Sequence, residues 1–298
     1  MHIHTSAVSD SSYHRFLRVL RDSFLESRPV VQFVFALRFL VGALCAVRLS
    51  SGEISFAAFT GMCAWVCAVM SAYVLNGAMD VTEDRANGSR RPIASGRLPV
   101  RSALTVVRVL AGLSLLVGVL SGLWWLAIAF AVLGCAYSVP PVAAKRNSAT
   151  AGLVVIAMGL TTYLAGAVST GGRLTAAGFL FCLVMSLWMG FVGAITKDLS
   201  DVHGDAVSGR RTLAVVKGER FARFFAGAAA VALGGGAMAA AVLLQPVLLG
   251  GTVPLAAGAV WLAVRCLRPA ADRRGPYRAF MVTQYAANIG MLAGLLLL

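Results

Sequence analysis

Two short acidic stretches carry the chemistry of this 298-residue chain. The first reads Asn76-Gly77-Ala78-Met79-Asp80-Val81-Thr82-Glu83-Asp84-Arg85 and runs on to Arg91-Pro92-Ile93-Ala94-Ser95-Gly96. The second reads Lys197-Asp198-Leu199-Ser200-Asp201-Val202-His203-Gly204-Asp205. Half of the chain's 12 Asp and Glu residues stand here: Asp80, Glu83, Asp84, Asp198, Asp201 and Asp205. On a helix, Asn76, Asp80 and Asp84 fall at i, i+4 and i+8, and Asp198, Asp201 and Asp205 at i, i+3 and i+7. Each set then stacks on one helix face.

Carboxylates grouped this way bind hard divalent cations. Mg²⁺ takes oxygen ligands, commonly one or two carboxylates completed by phosphate oxygens and water. If the two clusters converge, cations would sit between them, a diphosphate would complete the coordination, and nearby Arg and Lys would neutralise the remaining charge. One cluster alone reads most simply as solvated acids at a helix end. Two clusters at helical spacing weigh against that, with Ca²⁺ storage and ion transport as the other readings. Intramembrane acids often line ion paths, but these acids sit at the rim of apolar segments.

The segments that position them are apolar throughout. Hydrophobic residues make up 59% of the chain and charged ones 13%, with a mean hydropathy of +0.81, which describes a polytopic membrane protein. The formal net charge of +14 does not indicate nucleic acid, because the basic residues lie between apolar segments rather than on one polar domain. An anionic substrate or lipid surface suits it better. The cysteines form no C-x-x-C pair and lie in apolar stretches, so they read as small buried hydrophobes.

Spanning the hydrocarbon takes about 20 apolar residues. Nine candidate spans fall near 30–48, 55–76, 102–120, 123–140, 149–169, 174–196, 221–243, 246–264 and 279–297. The expected fold is therefore all-α: nine transmembrane helices in a single bundle (residues 30–298), with a central cavity opening to the cytoplasmic side. Residues 1–29 form a separate polar N-terminal arm without a signal-peptide core. Its arginines interleave with Leu and Phe, as in a helix lying on the membrane surface. His2 and His4 read as a disordered end rather than a metal site.

Of the 26 Lys and Arg residues, all but Arg38, Arg48, Arg108 and Arg173 fall on one set of alternating links. By the positive-inside rule the N-terminus, both acidic stretches and the Tyr137–Lys145 segment face the cytoplasm, and the C-terminus lies on the opposite side. Spans 2 and 6 each end in an acidic cluster and an Arg-bearing link, then lead into a short-linked hairpin. That is a coarse echo of two four-helix halves.

At this point the motifs resemble a known family. Asn76, Asp80 and Asp84, followed by Arg85, Asn87 and Arg91-Pro92-Ile93-Ala94-Ser95-Gly96, are similar to the first Asp-rich motif of the UbiA superfamily of intramembrane prenyltransferases. Lys197-Asp198 through Asp201 to Gly204-Asp205 is similar to the second motif. With Tyr137-Ser138-Val139-Pro140-Pro141 and Lys145-Arg146 it resembles the subgroup of homogentisate prenyltransferases, chlorophyll synthases and archaeal lipid prenyltransferases. Two places depart from the family pattern: Gly77, where many members carry Asp, and Gly88-Ser89, where many carry a basic residue and Pro.

The resemblance implies an enzyme of terpenoid biosynthesis that uses Mg²⁺ to ionise a polyprenyl diphosphate and pass the prenyl group to an acceptor, expected to be aromatic. It implies Asn76, Asp80, Asp84, Asp198, Asp201 and Asp205 at the metal, and Arg91, Lys145 and Lys197 on the diphosphate. Tyr137 would face the diphosphate or the cation; its plain alternative is an interfacial Tyr. Arg38, a charge inside span 1, is a candidate for the substrate cavity, and it could instead snorkel or pair. His203 reads as filler on a solvated loop more readily than as a base. A terpene cyclase on the same scaffold needs the same ionisation machinery and no acceptor. A cation-coupled transporter would want acids at the midplane and broken helices.

Overall fold

The computed structural model describes residues 5–268 and 272–298, and within them the chain is helical with no β-strand. His2 and His4 lie outside the described residues. The helices are α1 (Thr5–Glu26), α2 (Pro29–Leu49), α3 (Phe56–Met79), α4 (Val81–Ala86), α5 (Val100–Leu120), α6 (Trp124–Ser138) and α7 (Ser148–Ser169). They continue with α8 (Ala176–Leu187), α9 (Ala194–Val207), α10 (Leu213–Lys217), α11 (Glu219–Leu244), α12 (Leu249–Leu267) and α13 (Gly275–Leu296).

Eight helical segments among the described residues are long and apolar enough to cross a bilayer. The segment expected at 123–140 forms the apolar but shorter α6, of 15 residues. One π-helical turn, Trp188–Gly193, joins α8 and α9 into a continuous 32-residue run, Ala176–Val207, that carries the second acidic stretch at its end.

Packing is close because the facing residues are small. Helix α2 lies against α7, α3 against α5 and α6, and α12 against α11 and α13. A Cβ added to Gly42 would meet the Tyr163 carbonyl oxygen at 2.0 Å, and one on Gly166 the Phe39 carbonyl oxygen at 2.0 Å. Helices in lipid gain stability from such backbone approach, since lipid offers no hydrophobic drive between them. Trp65, Phe130, Phe35 and Phe39 fill the space between α2, α3 and α6. Large apolar side chains such as Leu116, Leu120, Phe224 and Leu243 point outward, as a bundle solvated by lipid requires.

The N-terminal arm is helical in its described part. Its outer face shows Tyr13, Phe16, Leu20 and Phe24, whereas its last turn buries Asp22, Ser23 and Glu26 near α3 and α5.

Candidate active site

The first acidic stretch is not one continuous helix face. The helical run is interrupted at Asp80, which caps the end of α3 before α4 begins. The Asp84 amide still bonds back to the Asp80 carbonyl at 2.8 Å. Within α3, Asn76 Nδ2 donates to Asp80 Oδ2 at 3.0 Å, and Asn76 Oδ1 accepts from Ser138 of α6 at 3.3 Å. The Asp80 carboxylate is thereby aimed toward the bundle interior.

Two cations meet it there. Lys145 Nζ lies 2.6 Å from Asp80 Oδ1, and Arg210 donates to the same oxygen. Arg210 also reaches Asp205 Oδ1 at 3.4 Å and Glu83 Oε1 at 3.5 Å. One guanidinium therefore ties the first acidic stretch to the second. Asn87 strengthens the tie: its Oδ1 accepts the Gly204 amide at 2.9 Å, and Gly204 leaves room that a side chain would close. The two stretches end at the same end of the bundle.

Burial pushes the Asp80 carboxyl up, but Lys145 and Arg210 outweigh it and hold the group below the usual carboxylate range. A buried carboxylate facing two cations stays ionised.

The second stretch is arranged within its own helix. Lys197 Nζ pairs with Asp201 Oδ2 at 2.9 Å, four residues on, and Ser200 donates to Asp201 Oδ1 at 3.1 Å. Asp198 accepts from Ser148 Oγ at 3.2 Å, which docks the start of α7. In the first stretch Asp84 pairs with Arg91 at 2.8 Å.

A cavity opens between these groups and the core. Of the residues expected at the site, Asn76, Asp80, Tyr137, Lys145, Lys197 and Arg38 line it. Asp84, Arg91, Asp198, Asp201 and Asp205 do not belong to that lining: Asp201 and Asp205 are paired to its Lys197 and Arg210, whereas Asp84 and Arg91 pair with each other and Asp198 is held by Ser148. The lining also includes Arg28, Tyr73, Arg210, Tyr277, Phe280 and Gln284, which sequence reasoning did not assign. Deeper in, Arg38 is 1% exposed; its Nη2 donates to Gln284 Oε1 at 2.6 Å, and its guanidinium stands 5.3 Å from the centre of the Phe35 ring. His203 is exposed.

Among the described residues no three carboxylate, His or Cys side chains converge closely enough to hold a metal by themselves. The donors nonetheless fit Mg²⁺. They are all oxygens, Asp205 Oδ2 is buried without a hydrogen-bond partner, and a metal that shares its coordination with phosphate oxygens needs only one or two carboxylates.

Fold and site together define an integral, multi-pass membrane protein whose helical bundle holds a cavity at one end, lined by charged side chains beside an apolar interior. The chain belongs to the UbiA prenyltransferase family, whose model matches residues 36–286. It is 30% identical over 263 residues to digeranylgeranylglyceryl phosphate synthase of Ignicoccus hospitalis, covering 81% of this chain and 82% of that protein. It is 29% identical to homogentisate phytyltransferase 1 of Arabidopsis thaliana, covering 72% of this chain and 58% of that one. In structure it resembles a UbiA homologue of Archaeoglobus fulgidus bound to DMAPP and Mg²⁺, with a TM-score of 0.68 and 15% identity over 93% of this chain and 100% of that one. That likeness shows the shared fold.

Proposed function

We propose that the chain is a Mg²⁺-dependent intramembrane prenyltransferase that ionises a polyprenyl diphosphate and transfers the prenyl group to an acceptor, aromatic by our reading. One observation carries this: Arg210 bridges Asp80 and Asp205, so two acidic stretches far apart in sequence share one site. That site opens on a cavity walled by Phe35, Tyr73, Met158, Met189, Tyr277 and Phe280.

In this reaction the allylic carbon–oxygen bond breaks with its electron pair leaving on the diphosphate. The acceptor's electron pair then forms the new bond to carbon, and the acceptor loses a proton. Mg²⁺, when bound, supplies positive charge to the departing diphosphate, and Asn76, Asp80, Asp84, Asp198, Asp201 and Asp205 are the groups that would hold it. Lys145, Lys197, Arg210 and Arg91 supply further fixed positive charge toward the leaving anion. Charges already in place when the bond breaks do most of the catalytic work in such sites. Tyr137, Tyr73 and Tyr277 offer ring faces and hydroxyls at the boundary between anion and cation. The Met and Phe walls keep water from the carbocation.

The same reading puts the cavity mouth and the N-terminus in the cytoplasm and the C-terminus on the opposite side. The one-sided distribution of Lys and Arg supports it. A C-terminal alkaline phosphatase fusion that stays inactive while a fluorescent-protein fusion glows would overturn that orientation.

The reaction is tested by incubating the reconstituted protein with geranyl, farnesyl and geranylgeranyl diphosphates and Mg²⁺, with and without phenolic acceptors, under mass spectrometry. Prenylated acceptor is the expected product. Hydrocarbon formed without acceptor would make the chain a cyclase, and no diphosphate consumption under any condition would remove the enzymatic reading.

A further inference from the structure

The last turn of α1 reaches into the first acidic stretch. Glu26, at 0% exposure, is the least exposed carboxylate among the described residues. Its Oε1 lies 2.5 Å from Arg91 Nη2, and its Oε2 accepts the Ile93 amide at 2.9 Å. Arg91 Nη2 also donates to the Glu26 carbonyl oxygen at 3.2 Å, and Arg91 Nη1 reaches Asp84 Oδ2 at 2.8 Å. A chain of charges thus runs from α1 through the loop to α4.

The room for it is left by Gly77. A Cβ at residue 77 would lie 2.1 Å from Glu26 Oε1 and 2.8 Å from Arg91 Nη2. The carboxylate of Glu26 therefore stands where a short side chain of the motif's own helix would be. Removing a carboxylate from water costs several kcal/mol unless it is paired and hydrogen-bonded. Here Arg91 and the Ile93 amide, both in the first acidic stretch, offset part of that cost, with a smaller contribution from the charge of Arg28, and burial remains the larger effect on the carboxyl.

We infer that Glu26 is a positioning residue of the diphosphate site, completing the first acidic stretch from outside it by holding Arg91 shared between two carboxylates. This rests on the diphosphate reading of that site. With Glu26 in place, Arg91 is fixed in direction and Asp84 keeps charge to offer a cation. Without it, Arg91 collapses onto Asp84 alone and neutralises it. The N-terminal helix is then part of the site rather than a leader to the bundle.

Binding of inorganic diphosphate in saturating Mg²⁺ to the purified full-length protein, followed by calorimetry, tests this without turnover. Glu26→Gln keeps the shape and the acceptor for Ile93 but removes the charge, and should weaken diphosphate binding by about tenfold. Gly77→Asp should weaken it too, because the new side chain drives Glu26 out. Combining Glu26→Gly with Gly77→Asp should recover most of the loss, since a carboxylate again meets Arg91 in the same place. A purely structural Glu26 predicts instead that the folded fraction of every variant binds diphosphate with wild-type affinity.

Wild-type binding in Glu26→Gln, or a double variant no tighter than either single one, would overturn the inference. If Glu26→Gln does not elute as folded protein, Glu26→Asp is read instead. It keeps the charge on a shorter stem and should bind several-fold more weakly, and wild-type affinity there would also overturn the inference. Failure of the wild-type protein to bind diphosphate at all strikes the site reading itself, a separate result.

Discussion

The two acidic stretches solve the same problem in opposite ways. The second begins by holding itself: Lys197, Ser200 and Asp201 hold one another within a single turn and a half of α9, and Ser148, Asn87 and Arg210 reach only its other residues, Asp198, Gly204 and Asp205. The first cannot hold itself. Its helix stops at Asp80, whose carboxylate is fixed by Lys145 and Arg210 from two distant places in the chain, while Asp84 is held by Arg91, itself anchored by Glu26 of α1. A break in the helix releases the acids from helical spacing, so distant partners must restore their geometry. Those partners make the first stretch the point at which the bundle's ends are locked together.

If so, damage to the first stretch should cost far more than damage to the second. The largest effect should come from Asp80→Asn, which leaves Lys145 and Arg210 buried beside a neutral group. Donor consumption should fall by about a thousandfold, and denaturant unfolding in detergent should show a loss of about 3 kcal/mol. Wild-type turnover in that variant would break the assignment.

Arg210→Met comes next. It unties the two stretches while leaving Lys145 on Asp80, and turnover should drop by about a hundredfold. A loss confined to KM, with kcat unchanged, would mean that Arg210 binds substrate without stabilising charge in the transition state. Lys197→Met sharpens the contrast. The side chains of Lys197 and Asp201 are 33% and 31% exposed, and a partly solvated pair contributes less than about 1 kcal/mol. Unfolding should therefore barely change while turnover falls, and a large stability loss would contradict the view that Lys197 and Asp201 are only locally held.

The smallest effect is on pH dependence. The Asp80 carboxyl is held below its ordinary value of 3.8, so its pairing stabilises the fold above that value and the contribution fades as pH falls through the lower folded value. The difference in thermal midpoint between wild type and Asp80→Asn should be full at pH 6 and shrink below about pH 4. A difference constant with pH would mean that Asp80 is not ionised in the fold.

The contrast also explains what could be read in advance. Long apolar runs and one-sided arginines announced a membrane bundle, and the spacing of Lys197 to Asp205 announced a site, because both signals are local. The interruption at Asp80 was hidden, since its spacing to Asn76 and Asp84 suits an unbroken helix equally well. The 15 residues of α6 sit in a longer apolar stretch whose hydropathy continues past the helix end at Pro140-Pro141. Arg210 and Glu26 were invisible for another reason. Each is one charge among several in a basic link or a polar arm, and only the folded chain shows which one turns inward. Gly77 did carry a signal, a missing side chain in an acidic motif, but nothing local says what fills the space.

The central claim is that the two stretches act on one ligand, and a double-mutant cycle on Asp80 and Asp201 tests it most directly. The measured quantity is Mg²⁺-dependent affinity for inorganic diphosphate in the wild type, Asp80→Asn, Asp201→Asn and the double variant. A shared ligand predicts non-additive losses, with a coupling of about 1 kcal/mol or more. Losses that simply add, within a few tenths of a kcal/mol, would contradict a single diphosphate held between the two acidic stretches.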